Sequence, residues 1–334
     1  MANMIPLLNS GDKTEKDTPK IGVVIPCYKV SQQIENVLAQ IGPEVSKIYC
    51  VDDACPEQSG SVVSKYMGKD PRLVLLNHTK NMGVGGAVIT GYKAAINDNV
   101  DIIVKIDGDG QMDPSMVPKI IAPIVSGEAD YVKGNRFFDL EGVQAMPFMR
   151  RIGNAGLSFF SKISTGYWSL FDPTNGYTAI HAKVANVLPF NKISKRYFFE
   201  SDMLFRLNTF RAVIADVPFK AIYQDEKSNL NIWKALFVFP FLHTKNFFKR
   251  LFYNYFLRNF SFASLNLLWG FALQVFGLSF GLIKWHESTQ RGVATATGTV
   301  MIAALSIILG FQMVLNFFNF DMSETYRNPI HKRL

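Results

Sequence analysis

The stretch Asp101-Ile-Ile-Val-Lys105-Ile-Asp107-Gly-Asp109-Gly-Gln111 decides how this chain is read. An apolar, β-branched run reads as a buried strand, and here it ends in two carboxylates separated by one glycine. Like charges that close raise the free energy of the folded state unless a cation neutralises them. Oxygen donors of this kind suit Mg2+ or Mn2+, which keep several waters and bridge to a substrate phosphate. The stretch is therefore a candidate site for a metal-bound diphosphate; a solvated Asp-Gly turn would read the same in isolation.

Working outward, strand-like and helix-like segments alternate. Strands are expected at Ile21–Pro26, Lys47–Val51, Arg72–Leu76, Asp101–Ile106 and Ala129–Gly134. Helices are expected at Ser31–Gln40, Gln58–Met67, Val84–Ile96 and at Pro114–Val125, the last opened by its proline. Such alternation predicts an α/β fold, a Rossmann-like, mostly parallel sheet with helices on both faces. Ligands of such sheets lie beyond the carboxyl ends of the strands. There the sequence places Asp52 and Asp53, Asp107 and Asp109, and Arg136. Beyond Arg136 the pattern loosens, with helices at Phe148–Ser164 and Phe199–Phe210 and strands at Gly176–Ile180 and Ala212–Val217.

The end of the chain differs in kind. Ser261–Ile283 carries no charged residue over 23 positions and Val293–Phe320 none over 28. A helix of either length exceeds a hydrocarbon core of about 30 Å, so a two-helix transmembrane hairpin is expected, linked by Lys284–Gly292. Lys245, Lys249, Arg250 and Arg258 precede it, and Arg327, Lys332 and Arg333 follow. The positive-inside bias puts the large domain and the tail in the cytoplasm. Gly277-x-x-x-Gly281 reads either as a helix-packing face or as ordinary small residues of a span. The aromatic, basic stretch 231–260 suits amphipathic helices in the membrane interface. The domain scheme is thus a mobile tail (1–19), a catalytic domain (20–230), interfacial helices (231–260), two spans (261–283 and 293–320) and a cytoplasmic tail (321–334).

Bulk properties agree. The 334 residues carry a net charge of +8 with 48% apolar and 13% aromatic content, enough for a core and a membrane anchor. The cations lie beside apolar segments, which favours a membrane surface, and no basic-aromatic nucleic-acid module is present, so nucleic acid is excluded as a partner. The short apolar patch Met4–Leu8 is followed rather than preceded by cations and does not read as a signal-peptide core. Cys27, Cys50 and Cys55 form no Cys-x-x-Cys pair and read as small buried or loop residues of a reducing compartment.

Other motifs bear on chemistry. Pro26 stops the first strand, and Tyr28 can stack on a base. Asp52 and Asp53 can accept from a base or a ribose hydroxyl; N-capping of the next helix is the competing use. Asn81-Met-Gly83-Val-Gly85-Gly86 precedes a helix, where backbone N–H groups can meet an anion. It is not a Rossmann dinucleotide loop, because Val88 takes the third-glycine position and the loop follows the third strand.

Pro26-x-Tyr28, Asp52-Asp53, Asn81-x-Gly83-x-Gly85, Asp107-x-Asp109-x-Gln111 and Gly134-Asn135-Arg136 occur in this order at the expected sheet positions. Together they resemble the family 2 glycosyltransferases of GT-A fold. With two C-terminal spans, the chain is similar to the branch containing polyprenyl-phosphate glucosyltransferases and dolichyl-phosphate mannose synthases, over about residues 20–320. The resemblance implies transfer of one hexose from a nucleotide-diphosphate sugar to a polyprenyl phosphate, with inversion. A UDP-hexose is favoured and GDP-mannose stays open. It implies that Pro26, Tyr28, Asp52, Asp53, Asn81, Gly83 and Gly85 bind the nucleotide sugar, and that Asp107, Asp109 and Gln111 hold Mg2+ or Mn2+ on the diphosphate. Asp172, in Asp172-Pro-Thr-Asn-Gly176, would be the base candidate, with Glu200 and Asp202 as second choices. Arg136 and Arg151 would lie near the lipid phosphate or the diphosphate. A homo-oligomer is implied too, with a tetramer as one form it could take.

The chain departs from that pattern in two places. Lys29 and Val30 stand where Asn-Glu often follows Pro-x-Tyr, and Tyr223-Gln-Asp-Glu226-Lys227-Ser228 replaces a late Arg-x-x-Gly-x-Ser-Lys stretch, leaving Lys227 as the candidate cation. The Gln-x-x-Arg-Trp of processive synthases is absent. Two other readings remain: transfer to a neutral lipid such as diacylglycerol or ceramide, which would need a true base, and a catalytically inactive membrane scaffold.

Overall fold

A computed structural model describes residues 18–138, 148–219 and 232–334. Seven strands form one sheet: β1 (Ile21–Cys27), β2 (Val45–Asp52), β3 (Leu73–Asn77), β4 (Ile102–Lys105), β5 (Tyr131–Asn135), β6 (Thr178–His181) and β7 (Ile214–Pro218). Their order is β3-β2-β1-β4-β6-β5-β7. β6 runs antiparallel to both β4 and β5, and the other pairs are parallel. The expected mostly parallel sheet is present, and β4 with its acidic end lies near the middle of it.

Helices cover both faces: α1 (Ile34–Ala39), α2 (Ser59–Tyr66), α3 (Val84–Asn97), α4 (Val117–Val125), α5 (Phe148–Thr165), α6 (Ala182–Val187) and α7 (Phe199–Thr209). All seven residues of β1 are buried, and the strand period splits them. Val23 and Ile25 join the layer of Ile34, Val37 and Ile120, whereas Val24 joins that of Val88, Tyr92 and Leu204. Each such aliphatic side chain contributes about 1.5–3 kcal/mol by leaving water. Pro114 opens a 3-10 turn (Pro114–Met116) rather than α4 itself, with Asp113 Oδ1 accepting from the Ser115 amide at 2.9 Å.

α8 (Ile232–Leu251) continues into a π-helical turn, Phe252–Arg258. The amphipathic reading of this stretch takes an inverted form. Its polar side chains His243, Asn246, Arg250 and Asn254 are buried against the catalytic domain, while Phe241, Phe248, Phe252, Leu257 and Phe260 face outward. Arg250 is therefore not a leaflet-facing cation, since it pairs with Asp321.

α9 (Phe262–Arg291) and α10 (Thr297–Ser323) are each long and apolar enough to cross a membrane, and little of their apolar surface is covered by the rest of the chain. The first helix does not stop at Ile283. It runs on to Arg291 and ends at Gly292, whose φ of 65° closes the helix in the left-handed region. The link is accordingly residues 292–296. Gly277 and Gly281 both face Ala303, and the helices also approach at Gly270, where a Cβ would lie 2.9 Å from the Gly310 carbonyl oxygen.

Candidate active site

A cleft of about 750 Å3 opens beyond the carboxyl ends of β1, β2 and β4. On one side lie Pro26, Tyr28, Asp53, Asn81 and Gly83; on the other, Asp107, Asp109 and Gln111, then Thr174, Gly176 and Glu200. Tyr28 is partly exposed there, so its ring can stack against a planar ligand.

The paired aspartates after β2 part company. Asp52 accepts from the Cys55 and Gly60 amides at 2.8 and 2.7 Å, which closes the loop and caps α2. It is absent from the wall of this cleft, and each of its two oxygens is engaged by a loop amide. Asp53 does reach the wall, and it also organises the next loop. Its Oδ1 accepts from the Met82 amide at 2.8 Å and meets His78 Nδ1 at 2.7 Å, and its Oδ2 accepts from the Gly83 amide at 2.7 Å.

The glycine loop therefore differs from an anion cradle. The Met82 and Gly83 amides point at Asp53, and the Gly86 amide donates to Lys195 O at 3.1 Å. Gly83 has a φ of 85°, and a Cβ there would lie 2.5 Å from Lys195 O. Gly85 is buried, and a Cβ on it would come 2.6 Å from both Phe199 Cδ2 and Ser194 O. These glycines let the start of α3 pack on the 194–199 segment, which carries Arg196 and Tyr197 into the cleft wall.

Charge at the cleft floor comes from residues that the motif reading passed over. Lys105 and Lys133 are almost wholly buried in β4 and β5. Lys105 Nζ lies 2.9 Å from Asp107 Oδ1 and 3.0 Å from Glu200 Oε1, and it donates to Gly176 O at 3.1 Å. Lys133 Nζ donates to Asn175 O at 2.7 Å and stands 3.4 Å from the other oxygen of Glu200. Burial disfavours both ammonium charges. For Lys105, Asp107 and Glu200 outweigh burial and hold its pKa above the usual lysine range. For Lys133, burial prevails over Glu200 and Asp172, and its pKa falls below that range. A lysine inside an apolar strand was the available signal, because a buried charge demands a partner.

Asp107, Asp109 and Gln111 share one loop, with Asp109 Oδ1 accepting from the Gln111 amide at 3.1 Å. Among the described residues no three His, Cys, Asp or Glu side chains group as a complete metal cage. Two carboxylates and an amide oxygen fit a hard divalent cation that takes its remaining ligands from water and diphosphate. Gly176 makes room for this: a Cβ there would collide with Asp107 Oδ2 and lie 2.6 Å from Lys105 Nζ.

Asp172 is fully buried and forms a two-pronged pair with Arg136, Nε to Oδ2 at 2.7 Å and Nη2 to Oδ1 at 3.1 Å. Asp202 stays apart from the cleft. It accepts from the Ser194 amide at 2.8 Å and from Asn246 Nδ2 at 3.1 Å, tying the 194–199 segment to α8, which gives no support to a role as base. The Arg151 side chain and Lys227 lie outside the described residues.

The family model for glycosyl transferase family 2 matches residues 22–188. A UDP-N-acetylglucosamine–dolichyl-phosphate N-acetylglucosaminyltransferase from Methanococcus voltae is 30% identical over 218 residues, 61% of this chain and 86% of that protein. An undecaprenyl-phosphate mannosyltransferase from Micrococcus luteus is 29% identical over 202 residues, 60% of this chain and 82% of that one. Among solved structures, glucosyl-3-phosphoglycerate synthase from Mycobacterium tuberculosis, crystallised with Mn2+, UDP and glucosyl-3-phosphoglycerate, superposes with a TM-score of 0.52. It covers 73% of this chain and 86% of its own at 16% identity, a likeness of fold. The chain belongs to glycosyl transferase family 2.

Proposed function

We propose that this family 2 glycosyltransferase moves one hexose from a nucleotide-diphosphate sugar to a polyprenyl phosphate at the cytoplasmic face of a membrane. The observation that carries the reading is the state of the two carboxylates best placed to act as a base. Asp172 is buried under the Arg136 guanidinium, and Glu200 is bracketed by Lys105 and Lys133. A neutral hydroxyl acceptor needs a carboxylate ready to take its proton. A phosphate monoester has its second pKa near about 6 and arrives already ionised, so it needs cations instead. Relatives named for dolichyl and undecaprenyl phosphate acceptors, and two helices able to span a bilayer, support the same acceptor class.

In this reading Tyr28 and Asp53 hold the nucleoside end of the donor. Asp107, Asp109 and Gln111 would hold Mg2+ or Mn2+, which when bound offsets the charge of the departing diphosphate. Lys105 fixes the Asp107 carboxylate from below. Arg136, oriented by Asp172, presents its guanidinium to the phosphate of the acceptor, and Arg151 and Lys227 are further candidates for that pairing. A phosphate oxygen attacks the anomeric carbon and the nucleoside diphosphate leaves from the opposite side, giving inversion.

The test is a donor screen on the purified protein in detergent. UDP-glucose, UDP-N-acetylglucosamine and GDP-mannose are each offered with undecaprenyl phosphate, dolichyl phosphate and diacylglycerol, with sugar-lipid product as the readout. Product on a polyprenyl phosphate and none on diacylglycerol is expected. Product on diacylglycerol alone would overturn the acceptor assignment.

A further inference from the structure

Asp321 directly follows the uncharged run of α10 and is nevertheless buried. A carboxylate taken out of water is costly unless it is paired and hydrogen-bonded. Here four donors converge on it. Arg250 approaches with Nη1 at 2.5 Å and Nη2 at 2.9 Å, the Tyr255 hydroxyl donates at 2.7 Å, and Trp168 Nε1 donates at 3.0 Å. Arg250 and Tyr255 belong to the elements leading into the spans. Trp168 belongs to the catalytic domain, in the segment that leaves α5.

Four residues beyond Trp168 stands Asp172, which orients Arg136. Four residues of chain reach at most about 14 Å, so a displacement at Trp168 has little slack to absorb it. Gly166 is shaped to this end, since a Cβ there would lie 2.6 Å from Arg250 Nη1. The segment is also held by Tyr167, whose hydroxyl donates to Ala212 O at 2.8 Å, and by the Phe171 amide, which donates to Asp216 Oδ2 at 2.8 Å. Those two anchors tie it to β7 and the turn before it, and Trp168 ties it to the end of a span.

We propose that Asp321 is a positioning residue for Arg136, the group proposed above to receive the acceptor phosphate, acting through Trp168 and the turn to Asp172 on its guanidinium. The membrane anchor thereby sets where the acceptor phosphate is received, and the donor cleft, built on β1, β2 and β4, is left alone. The choice of Arg136 as the phosphate-receiving group rests on the function proposed above.

The test uses the full-length protein. Replacing Trp168 with 3-benzothienylalanine keeps the bicyclic shape and exchanges only the N–H for sulfur, so it separates positioning from folding better than a change at Asp321. We expect the acceptor KM to rise about fivefold, the equivalent of one ordinary hydrogen bond, with the donor KM and the thermal midpoint unchanged. Amide exchange across residues 167–172 should accelerate in the same variant. Trp269→Phe, on the exposed face of α9, should change neither. Unchanged exchange protection, or donor and acceptor KM values that rise together as the thermal midpoint falls, would overturn the proposal. If the wild-type protein glycosylates another lipid, the acceptor assignment fails while the KM split is read on that lipid. The exchange measurement needs no acceptor at all.

Discussion

Lys105 Nζ and Asp107 Oδ1 lie 2.9 Å apart, the lysine being 2% exposed and the carboxylate opening to the cleft. One cation thus braces a wall residue from inside the sheet and draws Glu200 to the same point. Replacing it with an apolar side chain would leave two carboxylates facing each other without their shared counter-charge. Lys105→Met should cost about 3–5 kcal/mol of stability, the usual penalty for removing one partner of a buried pair. A thermal midpoint unchanged from wild type would contradict this account of the cleft floor.

Asp109 offers the opposite case. Asp109→Asn keeps an oxygen for the Gln111 amide but removes the negative charge offered to a divalent ion. Transfer should fall at least about 100-fold, the scale of losing a principal electrostatic contributor, while the fold persists. Turnover at the wild-type rate would refute the metal assignment.

Gly176→Ala tests space rather than charge. The added methyl would collide with Asp107 Oδ2 and crowd Lys105 Nζ, so Asp107 must move. Activity should drop with a modest loss of stability, about 1–3 kcal/mol for overpacking. Gly156→Ala in α5 meets nothing within 4 Å and is the control. It should be neutral or raise stability by up to about 1 kcal/mol through helix propensity. Equal behaviour of the two variants in the transfer assay would remove the steric argument.

Acid should loosen the protein through two histidines. Burial, aided by His331 and Lys183, pushes His181 down to about 4, and burial pushes His243 down to about 4. His181 stacks on His331 at 4.5 Å, and His331 Nδ1 meets Asp130 at 2.7 Å; His243 Nδ1 meets Ser164 Oγ at 2.7 Å. An unfolded histidine titrates near about 6.5, so between that pH and 4 the unfolded chain binds more protons than the folded one. The stability contributed by these neutral rings is complete above about pH 6.5 and is lost as pH falls toward 4. The thermal midpoint should decline over that interval, and less so in His243→Gln. A flat profile from pH 7 to 4.5 would count against both assignments.

The sheet was legible because its signal is local. Apolar β-branched runs ending in charged residues announce β1, β2 and β4, and the uncharged runs announce α9 and α10. Strand reversal at β6 was not legible, because Thr178–His181 carries no mark of direction and pairs by hydrogen bonds to residues over 40 positions away. The roles of Asp52 and Asp53 were undecidable in the sequence, where both read as Asp after a strand. Their separation follows from the side to which each side chain turns, one to the α2 amides and one to the Met82–Gly83 loop.

The order of motifs, the acidic end of β4 and the length of the apolar helices were determined by the sequence alone, since each depends on neighbours within a few residues. Only the tertiary structure decided that Lys105 and Lys133 converge on Glu200, that Asp172 is held by Arg136, and that the end of the second span reaches Trp168. Buried charges select their partners by proximity in space, and the chain brings those partners together from positions as many as 153 residues apart.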